Sequence, residues 1–212
     1  MGATHGKLAA VYRWNGSAGN LTTEACTESG SQAQITDSAK RILNPNAAVS
    51  FTDSGGANLV RIDYAAGRAI FDAAVTVVTA SGTGAYVAAA NLVKAGYMYD
   101  WRLEVDLELA ARSVYQDDWK QWQAAMGEIS GRAAGFFAGS AWFSALENCV
   151  DASVAYFLAQ LFTYDPDDDQ TGDHYNAWVI FEGLDLSAPI AEMVREEVTF
   201  KVHGAPDFVL NA

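Results

Sequence analysis

A chain of 212 residues, half of them hydrophobic and 12% aromatic, is long and apolar enough to bury a core, which excludes global disorder. Its 13 basic and 26 acidic residues leave a formal net charge of -13, and a surface that acidic disfavours conventional binding to nucleic-acid phosphate. Asp, Arg or Gln interrupts every apolar run before membrane-spanning length, so no membrane helix is expected.

The first residues, Met1 to Lys7, carry no apolar signal core, and Gly6 stands where a myristoylation motif wants Ser or Thr. The expectation is a protein made in a cytoplasm. In that compartment Cys26 and Cys149, which have no metal-ligand spacing, read as buried small hydrophobes.

In chain order, a strand is expected around Leu8 to Trp14, followed by a polar loop or arm reaching residue 35 and punctuated by Gly16, Gly19 and Gly30. Ile35 to Leu43 fits either a short helix capped by Thr36 or Asp37, or a strand running into a long loop. Val49 to Thr52 and Leu59 to Tyr64 flank Ser54-Gly55-Gly56 and read as a hairpin-like pair. Arg68 to Thr79 is a further β-rich run, with a turn at Ser81 to Gly84 and a short strand at Tyr86-Val87.

Trp101 to Ala110 alternates most sharply. Leu103, Val105, Leu107 and Leu109 fall on one side, and Glu104, Asp106 and Glu108 on the other. Asp117 or Asp118 is placed to cap a helix whose apolar stripe is Trp119, Trp122 and Met126, with Gly127 at its end. These three form a candidate core face against a sheet. Glycines then recur at 127, 131 and 135, and Ser140 caps a second short helix through Leu146. Val154 to Tyr164 and Tyr175 to Phe181 read as partner strands around an acidic loop. Beyond Gly183, Leu184, Leu186, Ser187 and Pro189 make a corner. The closing strand alternates Val198, Phe200 and Val202 with Glu197, Thr199, Lys201 and His203, and ends at Gly204.

Nothing in this pattern is catalytic. His5, His174 and His203 lie far apart with no partner at motif spacing and read as packed or solvated. The run from Asp165 to Asp173 alternates Asp165, Asp167 and Asp169 but has Gln170 where a calcium loop needs Gly and Asn176 where it needs Glu. A solvated loop is the better reading, and no catalytic, cofactor or metal residue is assigned. The stripe Glu104, Asp106, Glu108 reads as a solvated sheet face or, more sharply, as a negative wall along which an anion slides without sticking.

From about Leu59 to Gly204 the chain resembles the tail tube proteins, or major tail proteins, of long-tailed bacteriophages. The likeness rests on Val60 to Tyr64 with Gly67, the valine-rich run before Gly82, and Asp118-Trp119 followed by Gly127, Gly131 and Gly135-Phe136-Phe137. It closes with Gly183-Leu-Asp-Leu-Ser-Ala-Pro and the strand Val198 to Gly204. The resemblance implies a mainly β fold, a β-sandwich or half-barrel with one flanking α-helix and a short second helix. It implies a single domain over residues 1–212, with 1–35 a strand plus arm and 36–60 a long inter-ring loop.

Six such subunits would close a ring, and rings would stack into a hollow tube, in the virion, after assembly in the host cytoplasm. Partners by resemblance are other copies of the chain and the tail tip, tape measure and terminator proteins, with DNA passing through the lumen unbound. Glu104, Asp106, Glu108 and Glu197 are the expected lumen-lining residues. The competing readings are a terminator or completion ring, the tube of a contractile injection system and, from another class, a carbohydrate-binding β-sandwich module.

Overall fold

A computed structural model describes residues 11–14, 16–94, 97–112, 121–136, 156–163, 172–187 and 195–210. Two antiparallel sheets make up nearly all of them. The chain starts in the first sheet with β1 (Val11–Trp14) and leaves for the second with β2 (Gly19–Ser29), β3 (Gln32–Ile35), β4 (Ser50–Asp53), β5 (Leu59–Asp63), β6 (Arg68–Phe71) and β7 (Val78–Tyr86). It then returns to the first with β8 (Leu92–Lys94), β9 (Tyr97–Arg112), β10 (Gln121–Phe136), β11 (Phe157–Phe162), β12 (His174–Ser187) and β13 (Arg195–Val209). The strand orders are β8-β1-β11-β12-β13-β10-β9 and β4-β7-β2-β3-β6-β5. The fold is mainly β, built from two curled half-barrel sheets.

Chain connectivity demands the curl. β8 and β9 occupy opposite edges of the seven-stranded sheet, yet only residues 95 and 96 separate them in sequence. Six strand spacings in a flat sheet would set the edges roughly 29 Å apart. The three Cα steps from Lys94 to Tyr97 reach only about 11 Å. Side chains agree, because Trp101 of β9 donates its indole N–H to the carbonyl of Phe162 on β11 at 2.6 Å and meets the Tyr175 ring edge-on at 5.8 Å. The inside of the curl is a core of Ala159, Leu161, Ala177, Val179, Phe181, Val198 and Phe200, among others.

The second sheet has its own core, with Ile35, Leu43, Val78 and Ala80 fully enclosed. It docks on the outside of the first at the β1-β11-β12 end. There Trp178, with no exposed surface, packs with Tyr12, Leu158 and Phe162 of the first sheet and Ala65 and Val87 from the excursion. An ion pair from Arg68 to Asp207 at 3.9 Å marks the boundary of this contact.

Several expectations are corrected. Gln121–Phe136 is a strand where a helix was expected, so Trp122 and Met126 lie on β10, while Trp119 and the expected helix at 140–146 lie outside the described residues. Spacings of three and four fit a helix, but β10 pairs with β9 from Gln121 to Phe136, and a bulge between Ala124 and Gly127 accommodates the irregular spacing. Glycines at 127, 131 and 135 also weaken any helix there.

The polar arm before residue 35 is instead β2 and β3. The segment expected as a long loop at 36–60 holds β4, the start of β5 and a 3-10 turn at Ser38–Lys40, capped by the Asp37 carboxylate accepting from the Ala39 N–H. β4 and β5 do not pair with one another; they are the two edges of the second sheet. The Asp53 carboxylate organises the turn between them by accepting from the N–H groups of Thr76, Val77 and Ala57. Ser81 to Gly84 is no turn, since β7 runs through it, and β13 continues five residues past Gly204 to Val209. The partner strands β11 and β12 follow the expectation, but Leu184, Leu186 and Ser187, expected in a corner, still belong to β12 and pair with β13, and Pro189 lies outside the described residues.

Candidate functional site: the charged outer face

The second sheet covers only part of the outer side of the curl. Over β9, β10, β13 and the far half of β12 that side is open. Directly paired residues of an antiparallel sheet project to the same side, so the register defines the face. Asp106 opposes Glu128, Glu104 opposes Ser130, which opposes Lys201, and Arg102 opposes Arg132, which opposes Thr199. One rung further, Asp100 opposes Ala134, which opposes Glu197, and Glu197 opposes Asp185. Expected lining residues Glu104, Asp106 and Glu197 therefore do share one face. The side chain of Glu108 lies outside the described residues.

The expected acidic wall is interleaved with cations. Arg102 pairs with Glu104, Arg132 with Glu197 at 3.3 Å, and Lys201 with Glu128 at 2.7 Å and Glu182 at 3.5 Å. Hydrogen bonding to Glu128, and the charges of Glu128 and Glu182, hold the Lys201 ammonium above its ordinary pKa. Sequence reading singled out the carboxylates by strict alternation on one strand and missed Arg132 and Lys201, because their place opposite that strand depends on a register not written in any local pattern. Asp100, Asp106 and Asp185 are exposed and make no ion pair among the described residues. The face is a net acid with spare carboxylates.

Val105, expected in the core, is 60% exposed. The cause is the limit of the third strand: β13 pairs with β10 only from Ser130 to Phe136. Before Ser130, β10 pairs with β9 alone among the described residues. Residues 105–112 and 121–129 thus form a two-stranded ribbon that projects from the sheet. All of β9, sixteen residues long, has no strand on its outer edge among the described residues.

Other candidates resolve as packing. Cys26 is buried, and desolvation pushes its thiol up to about 11, with help from the charges of Glu28 and Glu24; Cys149 and the acidic loop at 164–171 lie outside the described residues. His174 is buried against the Phe162 ring and donates from Nδ1 to the Gly172 carbonyl at 2.8 Å. Trp14 and Trp101 are half-buried and Trp178 is enclosed. No group of three or more His, Cys, Asp or Glu among the described residues is placed to hold a metal.

No family model matches this sequence, and no curated protein does. Two solved structures are similar in part. One, the tail of an empty gene transfer agent particle refined with C6 symmetry, is 16% identical, with a TM-score of 0.42, covering 57% of this chain and 88% of its own. The other, the virion of a native gene transfer agent particle, is 15% identical, with a TM-score of 0.43, covering 57% of this chain and 90% of its own.

Proposed function

We propose that this protein is a structural, non-enzymatic subunit of a viral tail, which closes into rings, six subunits to each, that stack as a hollow tube for DNA. The observation that carries the reading is the sixteen-residue β9, whose outer edge has no paired strand among the described residues. Unpaired backbone groups along so long an edge are satisfied by a neighbouring strand, and a closed ring of like subunits leaves no edge over. The projecting ribbon needs such a neighbour too, since two strands alone are only marginally stable in water.

The charged face supplies the second support. Lining a lumen, Glu104, Asp106, Glu197 and, by the alternation of β9, Glu108 would set a net negative field along the path of the phosphate backbone, keeping small the counterion release that drives tight DNA binding. Partners in this reading are further copies of the chain and the proteins at either end of a tail. Trp14, Trp101 and Trp178 are all engaged in packing and offer no stacking platform to a carbohydrate.

Negative-stain electron microscopy of the purified protein at high concentration tests the proposal. Hollow tubes are expected. Single rings that never stack would favour a terminator or completion ring instead, and a monomer that stays monomeric when mixed with tail-tip components would overturn the tube.

A further inference from the structure

We propose that the rung formed by Arg102 and Arg132 is a phosphate-binding site, at which the backbone of duplex DNA crossing the charged face makes its attractive contact. The inference rests on the reading of that face as a lumen wall. It begins from an arrangement that an isolated sheet would avoid: two guanidinium groups at directly opposed positions of neighbouring strands, where like charges destabilise the pairing. A bridging anion turns that repulsion into a binding geometry. Both side chains are exposed. Among the described residues each pairs with one carboxylate, Arg102 through Nη2 to Glu104 and Arg132 through Nη1 to Glu197, and each planar fork carries further N–H donors beyond that pair.

The surroundings favour a tetrahedral oxyanion. Arg102, Arg132, Ser130 and Thr199 line one hollow together with Glu104 and Glu182, so two forks and two hydroxyls converge on it. Charge on either side sharpens the position. Asp106 opposes Glu128 on one flank, and Glu197 opposes Asp185 on the other. A phosphate displaced along β9 and β10 meets Glu104 and then the Asp106 and Glu128 pair in one direction and Asp100 in the other, so the attraction is confined to one rung and stays weak. Bidentate recognition by Arg, which a Lys cannot reproduce, is the chemistry the site uses.

Equilibrium dialysis of labelled inorganic phosphate against the concentrated full-length protein at low ionic strength reads the site whether or not subunits assemble. Saturable binding is expected, weakened about tenfold by Arg102→Gln with Arg132→Gln. Lys201→Gln, which frees the Glu182 carboxylate at the edge of the hollow but leaves both forks in place, should weaken it less than the double arginine variant does. Arg102→Lys with Arg132→Lys, which keeps charge and removes the forks, should fall between, and circular dichroism checks that each variant folds. A short DNA duplex should compete for the labelled phosphate.

No saturable binding, or a loss with Lys201→Gln equal to that of the double arginine variant, overturns the site. Phosphate binding that no duplex displaces overturns its assignment to DNA. Micrographs of the same samples separate the two ideas: tubes without phosphate binding sink the rung alone, and binding without tubes sinks the tail reading alone.

Discussion

His174 shows how one side chain links burial to solution behaviour. Desolvation lowers its pKa below the ordinary value of 6.5, against the smaller opposing pulls of the Gly172 carbonyl and the charges of Asp207 and Asp173; His203, stacked on Tyr156 at 4.3 Å, is lowered by desolvation too. A lowered histidine means that the unfolded chain binds more protons than the folded one below about pH 6.5, so stability there falls as pH falls. The buried carboxyls run the other way. Asp63, Asp207 and Glu196 are raised, chiefly by desolvation, so what they contribute is present in acid and lost as pH rises through their folded values. The expected outcome is a decline in urea midpoint from pH 7 toward pH 5.5, made shallower in His174→Gln. An unchanged slope would show that His174 does not carry the effect. That His174 and His203 pack against aromatic rings agrees with the packed or solvated reading of their lone spacing, and Cys26 is buried as its isolation suggested. The rung Arg102 to Arg132 was not legible, because it joins residues thirty apart whose meeting depends on the position of a bulge.

Among the elements, alternation spoke clearly where both sides of a strand differ. β9 and β13 alternate because one side packs inside the curl and the other meets solvent. β10 was misread because Trp119, Trp122 and Met126 match a helical stripe, and only the fourteen-position pairing with β9 decides against it. The glycines at 82 and 84 suggested a turn, yet in β7 they sit at register shifts against β2, with Gly84 at a φ of +62°. Glycine marks an irregularity, and sequence alone does not say whether the chain reverses there or continues. The ribbon gives a prediction at this scale. Amides of 105–112 and 121–129 lack a third strand and should exchange with deuterium well before those of 130–136 and 195–201 in the isolated subunit. Exchange mass spectrometry should show the ribbon slowing on assembly. Equal rates in free and assembled protein would mean that the ribbon is not part of the contact.

For the whole molecule, the net charge of -13 would oppose packing of like subunits in the ring proposed above. Screening shortens the reach of that repulsion, from about 30 Å at 0.01 M salt to about 3 Å at 1 M. Assembly should therefore increase with salt, read by sedimentation velocity as a shift from subunits to large species. A salt-independent distribution would count against charge as the restraint. The mainly β class was legible from the spacing of apolar residues, whereas the division into two sheets was not, since each strand looks alike whichever sheet it joins. No local signal says that β2 to β7 are an excursion between β1 and β8.

That excursion has a consequence for how the molecule comes into being. Tyr12 aligns with Lys94 on one side and with Gln160 on the other, partners about 80 and 150 residues later in the chain. The strand thus waits for about 80 further residues before one neighbour exists and for about 150 before the other does. Loop closure on that scale slows folding, while the second sheet, whose strands pair within residues 19–86, has all its partners early. Topology then predicts an order, which pulsed hydrogen exchange during refolding would check: the inserted sheet forms first and brings β1 to β8, and the larger curl closes last.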